Sequence, residues 1–210
     1  EHSGDATYNP QFFSLDGKYL YYLSNEDSDF VYLNKYDIES GEKEMVFKAD
    51  WDVWYAYDSY NEKYRIIGIN EDGKTNVKMI DLATNEEVKL PEIKGGDIKS
   101  VGLTKDENRV RLVVGTSVSP NNIYVFELGD TEAKKLTETF NPEIDPANLV
   151  EAKVIRYESF DGVQIPAIYY QPKIAATDRK VPAMVWVHGG PGGQSRVSYF
   201  SLIQFMVNHG

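Results

Sequence analysis

Short runs of alternating apolar and polar residues, each closed by a polar turn, fill the first 140 positions of the chain. One such stretch is Phe13-Ser14-Leu15-Asp16-Gly17-Lys18-Tyr19-Leu20-Tyr21-Tyr22. A second is Tyr57-Asp58-Ser59-Tyr60-Asn61-Glu62-Lys63-Tyr64-Arg65-Ile66-Ile67. A third is Leu103-Thr104-Lys105-Asp106-Glu107-Asn108-Arg109-Val110-Arg111-Leu112-Val113. Period-two alternation places successive side chains on opposite faces, so each run predicts a β-strand. Aligning Tyr19, Tyr64 and Val110 gives steps of 45 and 46 residues. A second landmark keeps the same register: Tyr36-Asp37-Ile38, Ile80-Asp81-Leu82 and Phe126-Glu127-Leu128, whose acidic positions step by 44 and 46.

Each unit has one internal order. A short strand leads into a polar turn and then the alternating strand. After a loop comes a strand ending in Asp or Glu and an aliphatic residue, then a turn such as Ser40-Gly41 or Thr84-Asn85, then a last strand. Four short strands in about 45 residues is the pattern of a β-propeller blade. Asp16-Gly17 and Asp72-Gly73 put glycine where a tight turn demands positive φ. A β-sandwich with accidental spacing is the competing architecture, and two landmarks holding register weigh against it. Propellers close with about four to eight blades. Three do not close a ring, so more blades are expected ahead of Glu1, where the chain also lacks an initiating Met.

The pattern changes after Thr139. Asn141-Pro142-Glu143-Ile144-Asp145-Pro146 has two prolines and no periodicity and predicts a linker. Glu151–Phe160 and Val163–Gln171 predict a hairpin around Asp161-Gly162. A polar loop, Lys173–Lys180, precedes an apolar run, Val181–Val187, suited to a strand buried on both faces. His188-Gly189-Gly190-Pro191-Gly192-Gly193 follows, then a predicted helix capped by Ser195. Tyr199, Leu202, Ile203 and Met206 share one face of it. His209 suits its C-terminal dipole and Gly210 its stop.

Composition narrows the chemistry. The 15 Tyr and 9 Phe favour strands. The net charge of −11, with Lys and Arg scattered among acids, argues against a nucleic-acid partner. With no cysteine, disulfides and thiolate metal sites are excluded. No apolar run reaches the roughly 18 residues of a membrane span. Asn25-Glu26-Asp27-Ser28-Asp29 offers oxygens but lacks the spacing of a calcium loop, so no metal site and no cofactor is expected. The acidic balance suits cytoplasm and periplasm alike, and the compartment stays open.

The stretch Val185-Trp186-Val187-His188-Gly189-Gly190-Pro191-Gly192-Gly193-Gln194 is the most specific signal. It matches the His-Gly-Gly loop that follows an early central strand in lipases, esterases and related peptidases. With the blades, the proline-bearing linker and the hairpin residues Tyr157–Gly162 and Ile165-Pro166-Ala167, the chain resembles the prolyl oligopeptidase family, closest to its acylaminoacyl-peptidase and dipeptidyl-peptidase-like branch. The resemblance implies a mainly β chain. Residues 1–140 would form about three four-stranded blades of a partial propeller, 141–150 a linker, and 151–210 the start of an α/β-hydrolase domain that continues beyond Gly210.

It also implies acyl transfer by a serine nucleophile, with Ser, Asp and His following in that order and the serine on a Gly-x-Ser-x-Gly elbow. No such pentapeptide occurs in these 210 residues, so the triad is expected outside them. What the resemblance leaves here is half of an oxyanion hole. The Gly190 N–H would donate to the developing oxyanion, Gly189 would permit the turn, and His188 would shape the loop without being the triad base. One such donor is worth roughly 3–4 kcal/mol in the transition state. Ser195, Ser198 and Ser201 sit on no elbow, Asp178 lies in a polar loop, and His2 lies at the terminus.

The implied function is hydrolysis of short peptides, with blades restricting access and this piece inactive alone. A carboxylesterase, or a non-catalytic propeller used for binding, is the alternative. A peptide substrate is the expected partner. Self-association is expected too, through open blade edges and through hydrolase surface that later strands would cover.

Overall fold

The computed structural model describes residues 5–175, 178–190 and 192–209. Its first part is three four-stranded antiparallel sheets, each with its strands side by side in chain order. The first holds β1 (Tyr8–Phe13), β2 (Tyr19–Ser24), β3 (Tyr32–Asp37) and β4 (Lys43–Phe47). The second holds β5 (Val53–Asp58), β6 (Tyr64–Glu71), β7 (Lys74–Asp81) and β8 (Glu86–Glu87). The third holds β9 (Asp97–Leu103), β10 (Arg109–Gly115), β11 (Asn122–Glu127) and β12 (Lys134–Lys135). The three repeats are thus three propeller-like blades. The alternating runs supply the second strand of each.

Two cores hold the blades face to face. Leu23, Leu33, Val53, Ala56, Ile67 and Ile69 pack between the first and second. Tyr64, Ile66, Met79, Val101, Val110, Leu112, Val114 and Phe126 pack between the second and third. The middle strand β6 is buried from Tyr64 to Ile69 because it serves both. Its period-two alternation sends Tyr64 and Ile66 to one core and Ile67 and Ile69 to the other. Gly68 interrupts this run opposite Tyr55, and a Cβ there would lie 2.3 Å from the Tyr55 ring. The glycine is the space that the ring fills.

Acidic side chains repeat at the blade junctions. The Asp52 and Asp97 carboxylates, 45 residues apart, accept the Val31 and Thr75 N–H groups of the preceding blade at 2.9 and 2.8 Å. Glu62 and Glu107, also 45 apart, accept the N–H groups of Leu15 and Asn61. The turn glycines behave as expected: Gly17 and Gly73 both have φ 72°. Glu62 and Glu107 hold the place of Gly17 in the next two blades with φ of 55° and 57°, a conformation that L side chains adopt at a cost. Their interblade bonds offset it.

The expected linker contains one 3-10 turn, Pro146–Asn148, capped by the Asp145 carboxylate on the Ala147 N–H at 2.9 Å. The hairpin forms from β13 (Lys153–Glu158) and β14 (Gln164–Tyr169), shorter than its apolar pattern, with Gly162 at φ 83°. Two expectations fail. Val181–Val187 is not a strand, and Val185 and Val187 are 86% and 80% exposed. No described strand lies beside this run, so its backbone groups have nothing to ladder with. The helix α1 spans Ser201–His209, so Ser195 does not cap it. The residues that were to form its first turns are instead drawn onto the blades. Its buried residue is Gln204, whereas Leu202 is exposed and Ile203 and Met206 are half-buried. His209 does sit in the last turn, its Nδ1 2.8 Å from the Phe205 carbonyl. Gly210, His2 and Pro191 lie outside the described residues.

Candidate oxyanion loop

The glycine loop begins where the extended run Val181–Val187 ends. Trp186 fixes that end by an edge contact with Phe200, ring centres 5.7 Å apart. His188 turns its Nδ1 to the Gly189 carbonyl at 2.9 Å, so the tautomer carrying the Nδ1 proton donates to it. The chain then folds back on itself. A Cβ at Gly190 would lie 2.9 and 3.0 Å from the backbone nitrogens of Gly193 and Gly192, and one at Gly193 would lie 2.2 Å from the Gly189 oxygen. Backbone atoms cannot yield to those contacts, so positions 190 and 193 admit glycine alone. A Cβ at Gly189 or Gly192 would meet nothing within 4 Å. The steric demand therefore sits at Gly190 and Gly193. The second of these was not singled out in the sequence, where only the run of glycines hinted at it.

Among the described residues no group accepts from the Gly190 N–H. His188, Gly189 and Gly190 are exposed. A free backbone N–H on a tight glycine loop can bind an anionic oxygen, and it does so strongly only where water is excluded. Ser195 is exposed, the Ser198 carbonyl accepts from the Tyr170 hydroxyl at 3.3 Å, and Ser201 opens the helix. Among the described residues no hydrogen bond joins any of these serines to His188 or His209. Asp178 is exposed. No cluster of three or more potential metal ligands occurs among the described residues, and no helix there is long and apolar enough to cross a membrane.

The chain beyond the loop is held by the blades. Asn70 Nδ2 donates to Gln194 Oε1 at 2.9 Å. The Arg196 guanidinium donates to Asn70 Oδ1 at 2.8 Å and Thr75 Oγ1 at 2.7 Å, lies 3.7 Å from the fully buried Asp97 carboxylate, and stacks 4.2 Å over the Trp54 ring. Val197 is buried and its N–H donates to the Gly73 carbonyl at 2.9 Å. Further on, the Gln204 side chain donates to the Ser117 and Val150 carbonyls and accepts the Val150 N–H, at 2.9, 2.9 and 3.0 Å. Burial pushes the Tyr55 phenol up to about 12, with the Asp97 charge adding to it and Arg196 opposing. Tyr55 therefore stays neutral beside this cluster.

No family model matches the chain. Among curated proteins it is 25% identical to dipeptidyl aminopeptidase BIII of Pseudoxanthomonas mexicana, over 97% of this chain and 31% of that protein. Among solved structures it superposes on one from a study of two prolyl endopeptidases with a TM-score of 0.77 at 15% identity, covering 99% of this chain and 30% of the other. It superposes on a Mycobacterium tuberculosis puromycin-hydrolyzing peptidase with a TM-score of 0.72 at 15% identity, covering 98% and 32%. The chain thus spans about a third of the length of the proteins it matches. Blade repeat, sequence relative and fold neighbours converge: over about a third of their length the chain shares the fold of prolyl endopeptidase-type structures, and its sequence resembles a dipeptidyl aminopeptidase.

Proposed function

We propose that these 210 residues are part of a serine peptidase that hydrolyses short peptides by acyl transfer. The observation that carries this reading is the Gly190 N–H, unclaimed among the described residues, on a backbone turn that only glycine can make, in a chain whose sequence relative is a dipeptidyl aminopeptidase. Gly190 supplies one of two oxyanion donors, and His188 holds the turn through the Gly189 carbonyl. Residues 151–210 open an α/β-hydrolase domain. The nucleophile, the acid and the base, together with the second donor, come from chain outside these residues, since no Gly-x-Ser-x-Gly elbow occurs in them. The blades stand over the site and limit access by size. The substrate is a peptide, as the names of the relatives suggest.

By this reading the piece is inert and the protein it belongs to is not. Exposure to a fluorophosphonate probe followed by intact mass measurement tests both. The 23.9 kDa chain is expected to gain no adduct, while the complete protein gains one per molecule. An adduct on the short chain would mean that one of its own serines is activated, and the assignment of the nucleophile would be lost.

A further inference from the structure

Among the described residues the glycine loop makes no hydrogen bond to the blades itself, yet the chain just after it is tied to them at several points. Every partner of that tie lies on the second blade or on the first strand of the third. Asn70, Gly73 and Thr75 come from the β6–β7 hairpin, Trp54 from β5, and Asp97 from the start of β9. Arg196 is the centre of it. Its planar fork reaches Asn70 and Thr75 at once while its face lies on Trp54 and its charge is met by Asp97, and no other side chain type satisfies all four. Upstream, Val181–Val187 pairs with no described strand, and the ring contact given for this run is that of Trp186 with Phe200. Five residues separate Gly190 from Arg196. Held at one end only, they could sweep roughly 20 Å.

We propose that Arg196 is a positioning residue of the peptidase: by docking on the second and third blades it fixes where the Gly190 N–H points, so the blades set the oxyanion donor as well as the entrance. This rests on the acyl-transfer reading above. It makes the donor's placement depend on a contact 121 residues away in sequence, between Arg196 and Thr75.

The absence of cysteine permits clean spin labelling. Labels at Gly192→Cys, where a side chain meets no atom within 4 Å, and at exposed Thr131→Cys on the third blade report the loop-to-blade distance. In the 210-residue chain a single narrow distribution is expected. Arg196→Ala broadens it, and Arg196→Lys, which keeps the charge toward Asp97 but loses the fork, broadens it less. Should Arg196→Ala fail to fold, Thr75→Ala removes one partner of the guanidinium and is expected to broaden it too. A distribution unchanged by both substitutions overturns the docking role. In the complete protein Arg196→Ala is expected to lower kcat by about tenfold to a hundredfold with KM little changed, the signature of a misplaced transition-state donor. An active parent whose kcat survives Arg196→Ala overturns the positioning role. A parent that neither turns over peptide nor takes the probe overturns the peptidase reading instead, and the distance measurement still decides the docking.

Discussion

Asp58 grips the Arg65 guanidinium through two bonds of 2.7 Å, and both side chains are more than nine-tenths buried. The other face of Arg65 lies 4.2 Å over the Tyr21 ring of the first blade, so the pair stands at a blade junction. Burial works against the Arg65 charge, but the Asp58 bonds and charge outweigh it and hold the guanidinium above its ordinary pKa. Removing the carboxylate leaves that charge buried and alone. Asp58→Ala is expected to lose about 3–5 kcal/mol in urea unfolding, whereas replacing both partners by apolar residues loses far less. A loss below about 1 kcal/mol for Asp58→Ala, the range of an exposed pair, would show that the charge finds water. Nothing in the alternating pattern of β6 marks Arg65 as buried. It occupies what reads as a polar position, and only the neighbouring blade covers it.

At the scale of elements, the blades depend on two devices, the first of which repeats every 45 residues. One is the carboxylate clasp from a turn to the preceding blade. For Glu107 burial alone would raise the pKa, but hydrogen bonds from Ser59 and Asn61 outweigh it, and the carboxyl lies below its ordinary value. A depressed acid adds stability above its unfolded pKa, about 4.3, and that stability is lost as pH falls through the folded value. The unfolding free energy of the parent is therefore expected to fall more steeply below pH about 4 than that of Glu107→Gln. Parallel pH profiles would mean that the clasp contributes nothing. The other device is close strand packing. Gly68→Ala drives a methyl into the Tyr55 ring and is expected to destabilise by about 1–3 kcal/mol. Adding Tyr55→Ala should make the Gly68→Ala change nearly harmless, and a double-mutant cycle with no coupling would refute the contact.

At the scale of the whole molecule, the apolar side chains Met184, Val185, Trp186, Val187, Leu202 and Phe205 are all exposed on the single chain. Surface of this kind is normally covered by a partner once it exceeds a few hundred Å2. The 210-residue chain is accordingly expected to self-associate. Light scattering across a concentration series should give masses that climb above 23.9 kDa. A mass constant at the monomer value at the highest concentration would remove the prediction.

The blades were legible in the sequence because everything that specifies them is local. Period-two alternation, turn glycines at Gly17 and Gly73 and a step near 45 residues lie within single repeats, and neighbouring repeats do the packing. The glycine run after His188 was visible in consecutive residues, but the turn's steric demand falls on Gly190 and Gly193, not on Gly189 where the sequence reading put it. The failures share an opposite cause. Val181–Val187 has the composition of a buried strand, but a strand is completed by partners elsewhere in a chain. Ser195 has the chemistry of a helix cap, but Arg196 and Val197 gain more from Asn70, Gly73 and Thr75 than from an extra helical turn. Gln204 is buried where an aliphatic stripe pointed to Leu202, because the Ser117 and Val150 backbone groups offered its amide three bonds. Sequence by itself determined the repeating unit and the presence of a glycine loop, but not which of its glycines the backbone requires. Only the tertiary structure decided what holds that loop in place, since those contacts join residues more than 100 positions apart whose types carry no periodic signal.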